Sequence, residues 1–349
     1  MRVLYAIQGT GNGHIARARE IVPALKCQAQ TDILISGMHA ELSLDFEVDH
    51  RFNGLGFKFG KKGGVDYFST WKEGSTLNFL REVRSLDLSG YDLVINDFEP
   101  VSAWAAKFQN IPCFGLSNQC ALLDPSVPLP PPKKSDALAL RVLKHYAPVD
   151  VCYGFHYQPV SPFVSTPVIR SEIRKLRVRE GDEYMVYLPF YGDRQIVEVL
   201  RQFSDTRWTV FSKHAKEGKV IENVTVHPLD HDLFTRTLAR CRGVISAAGF
   251  GLTSEVLFLG KKLMVIPMKG QYEQRCNAHA LSQMGIPVVK SLKRKWHDAI
   301  REWVKRDVSM RIHYSDHTDQ TVAGMLKDFR AIEGRELVER MASASRILE

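Results

Sequence analysis

The chain has 349 residues, 44% hydrophobic and 25% charged, with 47 Lys+Arg against 39 Asp+Glu and a net charge of +8. This is globular composition, and it excludes a disordered, collagen-like or coiled-coil chain. The length predicts about two domains, and the positive balance favours anionic partners such as nucleotide phosphates.

Met1–Gly9 reads as a first strand, too short in apolar character for a signal peptide. No apolar run approaches the roughly 18 residues of a membrane span. A glycine turn follows, then a helix from about His14. Asp32–Ser36 and Asp92–Asn96 are further strands. Val101, Trp104, Ala105 and Phe108 fall at i, i+3, i+4 and i+7, the stripe of an amphipathic helix. Pro112–Leu116 is another strand. The Pro-rich run Asp124–Lys134 breaks the pattern, and a helix at Ser135–Ala147 and a strand at Asp150–Phe155 complete a first unit. Tyr157–Pro167 carries three prolines and reads as a linker.

The alternation then restarts with strands at Glu183–Leu188, Trp208–Ser212, Val224–His227, Gly243–Ser246 and Leu263–Pro267. Helices are expected at Arg194–Phe203, at Leu252–Leu259 and over the last thirty or so residues. Short apolar strands alternating with helices predict parallel sheets covered on both faces. The six cysteines are scattered without a C-x-x-C pair, so a zinc site or disulfide framework is not expected, and they read as reduced buried thiols.

Three segments carry chemistry. Gly9-Thr10-Gly11-Asn12-Gly13-His14 follows the first strand and opens a helix, where glycines let a ligand approach and free N–H groups attract anions. The spacing departs from the dinucleotide fingerprint, and no acidic residue ends the second strand, which weakens a nicotinamide or flavin reading. His14 at that turn is a candidate base or a helix cap. Asp97 and Glu99, in Asn96–Pro100, lie at the same carboxyl edge of the sheet. Either could orient His14 or cap the next helix. The third segment, Cys241–Glu255, ends a strand in small residues, Gly249 and Gly251 among them, before a helix whose free N–H groups suit a diphosphate. Glu255 could accept from a ribose diol. Downstream, Lys269 and the Glu273-Gln274 pair suit a phosphate and a polyol.

Together these segments resemble glycosyltransferase family 28, which contains the peptidoglycan N-acetylglucosaminyltransferase, and more widely the nucleotide-sugar transferases of GT-B type. The resemblance implies an α/β fold of two tandem Rossmann-like domains facing a cleft. Residues 1–158 would form the acceptor-side domain and 159–320 the nucleotide-sugar-binding domain, with 321–349 a helix packing back on the first. It implies His14 as base, with Gly11 and Gly13 in its turn. Gly249, Gly251, Leu252 and Thr253 would hold the diphosphate, Glu255 the ribose, and Glu273 and Gln274 the sugar hydroxyls. Lys269 would offset the diphosphate charge. The loop Pro228–Phe234, with Leu229, would meet the nucleobase, and Asn118 and Gln119 the acceptor or sugar. Phe190-Tyr191-Gly192 and Asp97–Pro100 depart from the family's Gly-rich loops, so the peptidoglycan acceptor is not carried over.

The expected activity is inverting, metal-independent transfer from a UDP-sugar to an acceptor hydroxyl, with no cofactor, in the cytoplasm. The acceptor is unnamed, a lipid-linked or cell-envelope glycan being one candidate. Alternatives on the same fold are a nucleotide-sugar 2-epimerase-like enzyme and a non-catalytic nucleotide-sugar-binding protein. The basic segments Arg170–Arg179 and Lys290–Arg306 raise two readings. Trp296 and Trp303, seven apart, either face an anionic membrane or pack on the second domain. No nucleic-acid motif accompanies the charge.

Overall fold

The computed structural model describes residues 1–37, 46–55 and 75–345, with side chains beyond 333 outside that description. The first sheet is seven parallel strands in the order β3-β2-β1-β4-β5-β6-β7. These are β1 (Arg2–Gln8), β2 (Gln30–Ser36), β3 (His50–Phe52), β4 (Leu93–Asp97), β5 (Cys113–Ser117), β6 (Val151–Phe155) and β7 (Val164–Ser165). The first connection is α1 (Asn12–Lys26), followed by α2 (Ser75–Ser85), α3 (Pro100–Gln109), α4 (Asn118–Ala121) and α5 (Asp136–His145).

β1 is buried on both faces from Val3 to Gln8, as a central parallel strand must be. Its end lies hard against β2: Gly9 N donates to Ser36 O, and a Cβ at Gly9 would meet Gly37 O at 2.7 Å. Only glycine fits that approach. On α3 the apolar stripe is partly misplaced. Val101 and Ala105 are buried, but Phe108 is 59% exposed, because Ala103 and Ala106 take the buried face.

After α6 (Ser171–Arg174) comes a second sheet of six strands, in the order β10-β11-β9-β8-β12-β13. They are β8 (Glu183–Tyr187), β9 (Arg207–Ser212), β10 (Lys219–Ile221), β11 (Val224–Pro228), β12 (Gly243–Ser246) and β13 (Lys262–Val265). All pairs are parallel except the edge pair β10–β11. Its helices are α7 (Asp193–Leu200), α8 (His231–Arg240), α9 (Phe250–Leu259), α10 (Tyr272–Gln283) and α11 (His297–Lys305). Two parallel-sheet domains in tandem are the α/β architecture expected from the alternation.

The first sheet runs on to Ser165, past the boundary expected at residue 158, because β7 pairs with β6. Tyr157, Ile169 and Ile173 carry one apolar cluster from the first domain into Phe250, Leu257 and Leu259 of the second. The final helix, α12 (Thr318–Ser345), lies against α1. Phe329 meets Phe114 edge-on at 6.1 Å, and Tyr153 Oη donates to Asp328 at 2.7 Å.

Trp303 is buried with Tyr184 and Trp208 in the second core, and Trp296 packs against the same cluster. The two tryptophans therefore form no exposed membrane face. No helix among the described residues is long and apolar enough to cross a membrane. Four of the six cysteines are buried; Cys27 is exposed and Cys152 half-buried.

Candidate active site

Three chain segments deliver the first-domain groups to the carboxyl edge of its sheet. Gly11 precedes α1 at its N-cap position, its φ of 112° suits glycine, and no side chain caps the helix. His14 is thus not a cap. Its Nδ1 lies 2.8 Å from Asp97 Oδ1, at the end of β4. An ionised carboxylate only accepts, so Nδ1 carries a proton, and in the neutral ring the lone pair is then on Nε2. Asp97 is fully buried, which by itself pushes its carboxyl up. Arg17 and His14 outweigh that and hold it below its ordinary range.

Asp97 and Glu99 divide the work that sequence left open. Phe98 between them sits at φ 57°, in the left-handed region, so the chain turns sharply there. Glu99 faces back into α3: its two oxygens accept from Val101 N at 2.8 Å and Ser102 N at 2.7 Å. Glu99, expected as a catalytic candidate, is instead a buried helix cap, because both its oxygens serve α3.

Arg17, which sequence reasoning missed, completes the pair. It lies one turn after His14, so both face the same side of α1. Its Nε donates to Asp97 Oδ2 at 3.1 Å and its Nη2 to Oδ1. Nη1 donates to Asn118 Oδ1 at 3.1 Å. Asn118 and Gln119 meet the second domain, donating to Glu273 Oε1 at 2.8 Å and Oε2 at 3.1 Å. Glu273, expected at the sugar, is here bonded to the two amides expected at the acceptor or sugar.

On the second domain, Gly249 and Gly251 border open space at the start of α9: a Cβ on either would meet nothing within 4 Å. The same holds for Gly11 and Gly13. Leu252 is half-buried, and Lys269 is exposed on the loop after β13. Leu229 is half-buried against the core, next to the start of α8. Thr253 differs from expectation. It is fully buried, and its Oγ1 bonds Gly249 O at 2.8 Å and Tyr157 Oη at 2.7 Å, so its side chain serves the domain junction rather than the cleft. Gln274 accepts from Met268 N at 2.9 Å and thereby shapes the loop before it.

Glu255 is also engaged. Arg170, between the sheets, donates to both its oxygens, and a third bond of 2.5 Å ties Arg170 to Glu172. Glu172 in turn meets His231 Nε2 at 2.8 Å. Arg170 opens the basic run Arg170–Arg179, and nothing in that run signalled its burial.

The family model for glycosyl transferase family 1 matches residues 1–306. The chain belongs to that family. This supports a glycosyltransferase of GT-B type, while the narrower resemblance to family 28 finds no support in it. No curated protein matches this glycosyltransferase.

Solved structures similar to this family 1 chain share its fold over nearly their whole length. The glycosyltransferase SnogD from Streptomyces nogalater is 14% identical, over 94% of this chain and 99% of that one, with a TM-score of 0.51. UGT2 of Phytolacca americana, complexed with UDP-2-fluoro-glucose and pterostilbene, is 13% identical over 98% of each chain, with a TM-score of 0.57. A UDP-glucosyltransferase from Polygonum tinctorium is 16% identical over 94% of this chain and 98% of that one, at 0.57.

Proposed function

We propose that this glycosyltransferase uses His14 as the base for inverting, metal-independent transfer from a UDP-sugar to an acceptor hydroxyl. The 2.8 Å contact of His14 with buried Asp97 carries the reading. It leaves Nε2 as the lone-pair nitrogen at the sheet edge where ligands bind in such folds. The acceptor oxygen attacks the anomeric carbon as the bond to the diphosphate breaks, and Nε2 takes the acceptor proton. A positioned base of this kind contributes about 10²–10⁴-fold. Attack opposite the leaving group inverts the anomeric centre.

The free N–H groups at the start of α9, beside the open Gly249 and Gly251, offset charge developing on the diphosphate, with Lys269 nearby in sequence to the sugar-side pair. Glu273 and Gln274 take sugar hydroxyls, Glu255 the ribose, and Leu229 the base. UDP is the chosen nucleotide because the plant neighbours named above are described with UDP donors.

A thermal-shift screen against nucleoside diphosphates tests the donor class. UDP at about 100 times its Kd adds about 2.7 kcal/mol of stability. A protein that ignores every nucleotide and nucleotide sugar is not this enzyme.

A further inference from the structure

Arg17 is a buried cation whose three donor nitrogens bond Asp97 and Asn118, and Asn118 in turn bonds Glu273 of the second domain. The bonds through it form one chain with fixed polarity. Glu273 accepts from the Asn118 amide, the Asn118 carbonyl accepts from Arg17, Arg17 donates to Asp97, and Asp97 accepts from His14. An amide between a carboxylate and a guanidinium has one sensible orientation, with NH₂ toward the carboxylate and oxygen toward the cation. No link can therefore reverse without breaking. Glu273 lies close enough to favour the charged form of Arg17 across the cleft.

We infer that Arg17 is a positioning residue that joins the donor-side carboxylate Glu273 to the His14–Asp97 pair, so that the base is aimed by the contact between the domains. The inference rests on the proposed role of His14. Neither His14 nor Asp97 reaches the second domain in this chain of bonds except through Arg17 and Asn118. Arg17 also divides Asp97 with His14: its Nη2 lies 3.0 Å from the imidazole Nδ1, and both bond the same Asp97 oxygen. Arg17 thus places a positive charge beside the imidazole and shares with it the carboxylate that holds it. Among the described residues, the other titratable groups that act on Asp97 or Arg17 are Tyr5 on β1, Cys120 on α4 and Glu273 on α10.

The test is an NMR titration of the His14 imidazole in the full chain, in the wild type, Arg17→Met and Arg17→Lys, each with its Tm measured. Loss of the cation in Arg17→Met raises the His14 midpoint by about 1 pH unit or more, and Arg17→Lys recovers at least half of that. An unmoved midpoint in folded Arg17→Met overturns the inference. If Arg17→Met does not fold, Arg17→Gln, which also lacks the charge, takes its place, and an unmoved midpoint in folded Arg17→Gln overturns the inference too.

Kinetics read the domain link. Asn118→Leu lowers kcat about tenfold or more in the wild-type background and adds little in Arg17→Lys, because both break one chain. Independent, multiplying losses contradict the link. The titration needs no substrate, so its failure is separate from failure of the transferase reading, which UDP binding and sugar transfer by the wild type report.

Discussion

Arg170 grips Glu255 with two parallel hydrogen bonds, Nε to Oε1 at 2.6 Å and Nη2 to Oε2 at 2.8 Å. The segment between the sheets thus holds the carboxylate proposed for the ribose. Both side chains are largely buried, at 13% and 7% exposed. Such a pair is costly to break from one side and cheap to replace as a whole.

Glu255→Ala therefore loses stability as well as ligand. Leaving Arg170 without this partner costs about 3 kcal/mol in urea unfolding. UDP affinity by calorimetry falls about 10- to 150-fold with the loss of a charge-assisted hydrogen bond. The double variant Arg170→Met/Glu255→Leu regains most of the stability and none of the affinity. Recovery of UDP binding in the double variant would remove Glu255 from the donor site.

Asp97 and Glu99 should separate in a single comparison. Glu99→Ala removes the cap of α3 and costs about 1 kcal/mol of stability, with the rate per folded molecule little changed. Asp97→Asn keeps the shape but removes the charge behind His14, so the transfer rate falls. A Glu99 variant that folds but is as slow as Asp97→Asn would contradict the assignment.

Much of this arrangement was legible in the chain. The central strands were readable because parallel strands buried on both faces are continuous apolar runs. The short edge strands β3, β7 and β10 were not, since three residues or fewer carry no periodicity. His14 stood out because a glycine turn precedes it. Its partner could not be chosen, because whether Asp97 or Glu99 faces the helix depends on the positive φ of Phe98, which a phenylalanine does not announce. Arg17 was missed, although its place one turn beyond His14 on the same face was a signal that could have found it. Arg170 was hidden, because burial of one arginine in a basic run is decided by a glutamate 85 positions away.

The depressed carboxyl of Asp97 makes a pH prediction with a definite sign. Burial pushes it up, but Arg17 and His14 hold its folded value below 3.8. Its stabilisation is then fully present above that ordinary value and is lost as pH falls through the folded one. Urea unfolding from pH 7 down to about 3 should show Asp97→Asn losing less stability on acidification than the wild type. Parallel profiles would mean that Asp97 is no more favoured ionised in the folded chain than in the unfolded one.

Glu273 bonds Asn118 and Gln119 across the two domains, and sugar hydroxyls are its partners in the proposed complex. Glu273→Gln should leave the Kd for free UDP within about twofold and weaken the intact UDP-sugar about tenfold or more, the loss of one hydrogen bond to a charged group. Equal losses for both ligands by calorimetry would place Glu273 at the nucleotide instead.

The most direct measurement is the transfer rate of His14→Ala beside its UDP affinity. His14 bonds Asp97 and lies at the acceptor side of the site, with no assigned contact to the nucleotide. The account predicts a folded variant that binds UDP like the wild type and transfers sugar about 10²-fold more slowly or worse. Transfer by His14→Ala at the wild-type rate would contradict it.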